Sequence, residues 1–235
     1  MRKKNIFKKV RFGKIRAFII LFFRIGLFNR QVGKLLIDDY DGHWGHQTTR
    51  ETGNLGFGFF HFSLISSQKP KRVLCVGSQQ GFIPAICALA CKSNGIGHVD
   101  FIDAGYDQGH SKAWSGIGFW KKVNPSKHFA LLGISNWIST YVMTTEEFSK
   151  KFLKRNYNYI YIDGDHTYEG VKNDFRLLWP HMKKDGFMSF HDILNKGYFR
   201  KKYEFGVWKF WQELEKSYPH IYFSQHPGLG LIQKE

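Results

Sequence analysis

Tyr159-Ile160-Tyr161-Ile162-Asp163-Gly164-Asp165-His166 reads as a buried strand that ends in acid. Aromatic and β-branched residues bounded by a glycine turn are the composition of a central strand. A second such run, residues 187–190, ends on His191-Asp192, with His191 28 positions after Asp163. In an open α/β sheet, ligands collect outside the carboxyl ends of the strands. Neighbouring strands lie about 4.8 Å apart, so adjacency of these two would bring Asp163, His191 and Asp192 into one small volume. Oxygen and imidazole donors placed there can hold a divalent cation, and His166 would stand beside it as a base. The pattern predicts an active site.

Working outward, short β-type runs alternate with helix-type runs, as in a parallel sheet covered on both faces. The strands are predicted over 72–76, 99–103, 138–143, 159–163, 187–190, 221–224 and 229–232. Thr144-Thr145-Glu146-Glu147 reads as a capping box opening a helix. Val171, Phe175, Leu178 and Met182 form a helical stripe closed by a turn at Lys184-Asp185-Gly186. The turn His226-Pro227-Gly228 pairs the last two strands as a hairpin, which makes one edge strand antiparallel. The fold class is therefore α/β: a Rossmann-like, doubly wound, seven-stranded, mostly parallel sheet with one antiparallel edge strand. A basic N-terminal helical extension precedes it. Residues 35–70 read as loop-like and rich in Gly, His and aromatics until a helix at 59–65.

With 235 residues, 43% apolar and 17% aromatic, the chain suits one domain with a sizeable core, and disorder is excluded. The formal charge of +16 first suggests a nucleic-acid partner, but its distribution argues against one. Residues 1–34 hold eleven of the 35 Lys and Arg and no acid; the remaining 24 bases face 19 acids. The basic character belongs to a tail, so residues 1–34 are set apart as a basic amphipathic segment from a domain over 35–235. Residues 17–23 are apolar but flanked by Arg16 and Arg24. That run is too short for the roughly 20 residues of a spanning helix, and no signal-peptide cleavage site follows it. Two readings stand: a helix on an anionic membrane surface, or a helix packed on the domain with its charges solvated. Cys75, Cys87 and Cys91 have neither metal-like nor disulfide-like spacing and are read as core residues in a reducing, cytoplasmic compartment. The membrane reading would put the protein on the inner face.

Between the first strand and its helix stands Gly77-Ser78-Gln79-Gln80-Gly81. Glycines there let backbone approach a ligand, and a helix N-terminus favours a negative group. The loop is neither a phosphate loop ending in Gly-Lys-Ser/Thr nor a full GxGxxG pattern. Asp103, 22 residues after Gly81, ends the second strand, where an acid can accept hydrogen bonds from both ribose hydroxyls.

Over roughly residues 55–235 these motifs, in this order, resemble the class I S-adenosylmethionine (SAM)-dependent methyltransferases. The Ile162-Asp163-Gly164-Asp165-His166 block and Phe190-His191-Asp192 are similar to the metal-dependent sugar O-methyltransferases, the mycinamicin and macrocin enzymes, with the cephalosporin-hydroxylase-like group beside them. The resemblance implies an O-methyltransferase acting on a sugar or glycan hydroxyl with SAM and a divalent metal (Mg, Mn or another). It implies Gly77, Ser78, Gly81, Asp103, Thr144 and Asp163 at the cofactor. Asp163, His191 and Asp192 would hold the metal, and His166, with Asp163, would serve catalysis.

Two positions depart from the family pattern. Cys75 stands where an acid is expected, which weakens the hold on the methionine amino group. His191 replaces the first carboxylate of an acidic pair; imidazole suits Mn²⁺, Fe²⁺ or Zn²⁺ better than Mg²⁺, unless Asp165 takes over. These departures keep a second function open, a degenerate methyltransferase fold acting as a binding module. The tail keeps a third, an RNA methyltransferase anchored electrostatically. Residues 105–135, with Trp114, Phe119 and Trp120 among Lys112, Lys121 and Lys122, are expected to form a lid over the acceptor, joined by His43, Trp44 and His46. The acceptor would be a small molecule or a glycan; self-association into a homo-oligomer stays open.

Overall fold

The computed structural model describes residues 30–106, 118–152, 155–199 and 203–235. The apolar run 17–23 and most of the basic tail lie outside them. Among the described residues, no helix is long and apolar enough to cross a membrane.

Strands β1 (Val73–Gly77), β2 (Val99–Asp103), β3 (Ile138–Val142), β4 (Tyr157–Asp163), β5 (Met182–His191), β8 (His220–Phe223) and β9 (Leu229–Gln233) form one sheet in the order β3-β2-β1-β4-β5-β9-β8. The first five are mutually parallel; β9 runs antiparallel to both its neighbours, one place in from the β8 edge. The fold expected from the sequence is thus observed. A separate two-stranded ribbon, β6 (Tyr198–Phe199) with β7 (Tyr203–Glu204), was not anticipated.

Side chains alternate across the pleat, and the sheet is buried on both faces. Val73, Cys75, Phe101, Tyr159 and Tyr161 pack against α1 (Arg30–Asp39), α2 (Phe57–Gln68) and α3 (Phe82–Asn94). Leu74, Val76, Ile102, Ile160, Ile162 and Phe190 pack against α6 (Thr145–Phe152), α7 (Tyr168–Leu178) and α8 (Val207–Leu214). Two short helices, α4 (Phe119–Lys122) and α5 (Pro125–Ala130), fill the β2–β3 connection.

Several boundaries moved. The helix α1 occupies part of the stretch read as loop and runs across position 34; Val32, Leu36 and Ile37 are its buried stripe. Helix α7 ends at Leu178 because Pro180, within the 3₁₀ turn Trp179–His181, cannot continue it. Met182 consequently belongs to β5, and Lys184-Asp185-Gly186 is an irregularity inside that strand, with Asp185 at φ 61° and the β4 register shifting between Tyr157 and Tyr159. The capping box is present: Thr144 Oγ1 accepts the Glu147 N–H at 3.2 Å, and Glu147 Oε2 accepts the Thr144 N–H at 2.9 Å. All three cysteines are buried and free. Cys75 faces the core against Cys87, away from the cavity described next.

Candidate active site

A cavity of about 810 Å³ opens over the carboxyl ends of β1, β2, β4 and β5, within the roughly 300–1,000 Å³ typical of small-molecule sites. Gly77, Ser78, Asp103, Thr144, Asp163, His166, His191 and Asp192 all line it. Gly77 is fixed by proximity: a Cβ there would meet the Asp163 carbonyl oxygen at 2.1 Å, and φ is 71°. The turn that follows is strained, with Ser78 at φ 127° and Gln79 at φ 42°. Such outliers persist where the surroundings over-determine them and cluster at ligand sites. Gly81 takes a different part. It is the left-handed residue that opens α3, facing Phe129 and Trp120, and does not line the cavity.

At the other end of the cavity, one ligand atom from each of Asp163, His191 and Asp192 lies within 4.8 Å of the other two. His191 Nε2 lies 3.2 Å from the Gly45 carbonyl oxygen, which only accepts, so this nitrogen carries a proton. Nδ1 is then the open question. It is buried, 3.4 Å from Asp163 Oδ1 and 3.6 Å from Asp192 Oδ2, with good hydrogen-bond geometry to neither. A lone pair aimed at two carboxylates is stable only with a second proton or with a cation between them. Burial pulls the His191 imidazole down, but Asp163 and Asp192 outweigh it and raise its pKa well above the ordinary value.

His166 bridges the same carboxylates, with Nδ1 2.8 Å from Asp192 Oδ2 and Nε2 3.3 Å from Asp163 Oδ1. Burial again pulls down and the two acids push up, to about 10. Both carboxylates, despite burial, are held well below the usual range by His191 and His166. Two imidazolium protons therefore balance two carboxylates, which is the charge one divalent ion would supply. This donor set fits a divalent cation, and its imidazole nitrogen favours a borderline metal over Mg²⁺.

The surroundings orient these groups. Tyr161 donates its hydroxyl to Asp163 Oδ2 at 2.8 Å. The His46 ring lies tilted against that of His191, 4.6 Å between centroids, and burial, then the neighbouring His191, depress its pKa to about 3. Asp165 turns instead to the start of α7, accepting the Thr167 N–H at 2.9 Å, and does not join the cluster. Near the glycine turn, burial raises Asp103 to about 6, although one oxygen accepts the Gly105 N–H at 2.7 Å.

The expected lid resolves into parts. Residues 107–117, including Lys112 and Trp114, lie outside the described residues. Trp120 is corrected to core: it stacks with Phe129 and donates its indole N–H to the Gln79 carbonyl at 2.6 Å. Its helical neighbours Phe119 and His128 make an edge-to-face cluster around it. Tyr106 and Trp44 do line the cavity, Trp44 with 66% of its surface exposed, while His43 is an exposed partner of Asp38. Sequence reading did not single out Tyr161, Asp174, Asn195 or Phe205. Only Tyr161 had a signal, its period-2 relation to Asp163.

An open sheet of this order, doubly covered and carrying its cavity over the strand ends, defines a class I methyltransferase fold. Residues 74–193, just over half of the chain, match the profile of the methyltransferase domain family, and the protein belongs to that family. Solved structures share the fold at low identity. The O-methyltransferase TomG from Streptomyces achromogenes, involved in tomaymycin synthesis and solved with SAM, superposes with TM-score 0.59 at 11% identity, covering 93% of this chain and 96% of its own. The Bacillus cereus O-methyltransferase bound to S-adenosylhomocysteine (SAH) gives 0.59 at 10% identity over 93% and 97%. The SAH-bound Podospora anserina methyltransferase PaMTH1 gives 0.59 at 11% over 85% and 87%. The Sinorhizobium fredii protein y4gI is 33% identical over 73 residues, 31% of this chain, and the match spans only 8% of that curated relative.

Proposed function

We propose that the protein is a SAM-dependent O-methyltransferase whose acceptor is a sugar or glycan hydroxyl, with a divalent cation held by Asp163, His191 and Asp192. The observation that carries this reading is the placement of His191 Nδ1, buried and directed between two carboxylates beside the cavity with a hydrogen bond to neither. SAM fits the opposite half of the same cavity. The strained Gly77-Ser78 turn gives close backbone approach, and the Asp103 oxygen not engaged by Gly105 can accept from a ribose hydroxyl. Thr144 lies on that cavity wall as well.

When bound, the cation supplies Lewis acidity that lowers the pKa of an acceptor hydroxyl and favours two neighbouring oxygens, as in a vicinal diol. The chain's own residues do the rest. Asp163 and Asp192 fix the charge at the acceptor end, and Tyr161 and Gly45 fix Asp163 and His191 in turn. The hydroxyl proton passes to His166 as the new carbon–oxygen bond forms and the carbon–sulfur bond breaks, leaving a neutral thioether. As a cation bridging both carboxylates, His166 cannot take a proton. It becomes the base only after giving one up to solvent, which a divalent ion on Asp163 and Asp192 would favour by taking over the charge that now holds that proton. Trp44, Tyr106 and Phe205 line the cavity with aromatic faces suited to sugar C–H surfaces. The basic segment 1–34 makes an anionic membrane surface the setting we favour, with the acceptor a lipid-linked or surface glycan.

The test is methyl transfer from labelled SAM to a panel of sugars and glycans bearing vicinal diols, with and without EDTA. Transfer that stops in EDTA and returns with Mn²⁺ is expected. An undiminished rate in EDTA removes the cation, and absence of SAM binding by calorimetry removes the reaction.

A further inference from the structure

At the opposite end of the sheet, beyond the amino ends of β1, β4 and β5, a second cleft of about 390 Å³ is lined by Lys71, Arg72, Arg155, Asn156 and Lys183. Four cations meet there. Among the described residues, the acid ion-paired with them is Asp100, a residue of β2 that is 1% exposed. Arg155 Nη1 lies 3.0 Å from both Asp100 oxygens and 3.2 Å from the Tyr141 hydroxyl; the Tyr157 hydroxyl donates to Asp100 at 2.9 Å, and Arg72 stands 3.6 Å away. Asp100 thus anchors two guanidinium groups through one nitrogen each. Among the described residues, Lys71 and Lys183 have no acidic partner. Four positive charges against one carboxylate leave the cleft strongly cationic, with the arginines pre-ordered.

We infer that this cleft binds a compact, multiply charged oxyanion, a phosphate group, as a site separate from the methyl-transfer cavity. Guanidinium forks and ammonium groups that converge on one concavity match the several oxygens of a phosphomonoester. A polynucleotide is disfavoured, because the lining holds no aromatic platform for bases. Nor is the bound group the methyl acceptor. The five residues of β1 separate the two ends, and at about 3.3 Å per residue they span roughly 16 Å. The phosphate belongs either to a soluble metabolite or to a lipid headgroup; the chemistry is common to both.

The full chain is titrated with inorganic phosphate and pyrophosphate by calorimetry, alongside Lys71→Gln/Lys183→Gln, which leaves Asp100 its arginine partners. Saturable binding, weakened about tenfold or more in the double variant with its melting temperature and SAM binding unchanged, is expected. If the double variant loses its thermal transition, Lys183→Gln alone reads the same loss. Flotation with neutral vesicles, with and without phosphatidic acid, then separates the sources, since wild type and variant carry the same tail. Weaker vesicle binding by the variant assigns the site to a headgroup; equal vesicle binding assigns it to a soluble phosphate ester. No saturable phosphate uptake, or equal uptake by the variant, overturns the inference. So does tight single-stranded RNA binding that the variant loses while neither protein takes up phosphate.

Discussion

Tyr161 donates its hydroxyl to Asp163 Oδ2 at 2.8 Å from two positions back on the same strand. One face of β4 therefore supplies both a candidate ligand and the group that orients it. Tyr161→Phe removes the hydrogen bond and keeps the ring in the core. Metal affinity should fall by about 10–100-fold, the usual effect of losing such an outer partner, while the far-UV circular dichroism stays unchanged. Metal titration of the two proteins decides it; equal affinity would show that Asp163 needs no such support.

Asp192→Ala and Asp163→Ala should each abolish turnover and leave SAM binding within a few-fold of wild type. Turnover and calorimetry on the same preparations read the two effects apart. Full activity in both variants sinks the cation.

His191→Asp converts the donor set to three carboxylates and gives up the contact with the Gly45 carbonyl. Hard oxygen donors suit Mg²⁺, whereas an imidazole favours Mn²⁺, Fe²⁺ or Zn²⁺. The ratio of Mg²⁺ to Zn²⁺ affinity should rise in the variant. An unaltered ratio would mean that His191 is not a ligand.

Burial raises Asp103 to about 6, so its carboxylate is half protonated at that pH in the folded protein. A protonated acid accepts ribose hydrogen bonds poorly. SAM affinity should fall as pH drops from 7 to 5, and Asp103→Asn should flatten that profile at a uniformly lower affinity. For folding the sign is opposite: ionisation is harder in the fold, so this group favours the folded state more as pH falls from 6 towards 3.8. A SAM affinity independent of pH across this window would remove Asp103 from the ribose site.

Asp174 offers a pure stability test. Burial is the largest influence on it and, against a hydrogen bond from Thr145, lifts its carboxyl to about 7. Above that pH the fold carries a buried charge, a burden on the order of 4 kcal/mol for a three-unit displacement. Asp174→Asn should therefore raise the melting temperature at pH 8 and change it little at pH 4. A variant less stable at pH 8 would show that the charge is matched by a partner.

The strands were legible because their residues are apolar, β-branched or aromatic and end in Gly or Asp; 99–103 is matched residue for residue. The convergence of Asp163, His191 and Asp192 was legible for the same reason, since strand ends in a parallel sheet have one destination. What stayed hidden depends on three-dimensional neighbours. Trp120 and Trp114 look alike in sequence, and only the packing of Trp120 on Phe129 and Phe101 marks it as core. Gly81 looks like a cofactor glycine, yet its positive φ serves the start of α3. Cys75 seemed to vacate an acidic anchor, but alternation along β1 turns that position into the core. The bulge at Asp185 and the His166 bridge between two acids depend on registers that no local pattern encodes.

Gly45 and His46, which brace His191, precede the span shared with the methyltransferase family. One wall of the pocket and the strands that carry Asp163, His191 and Asp192 are thus encoded in different stretches of the chain. On the function proposed above, exchange of residues 41–44 is expected to change acceptor selectivity through Asp41 and Trp44 while leaving Gly45, His46 and the residues of β4 and β5 in place.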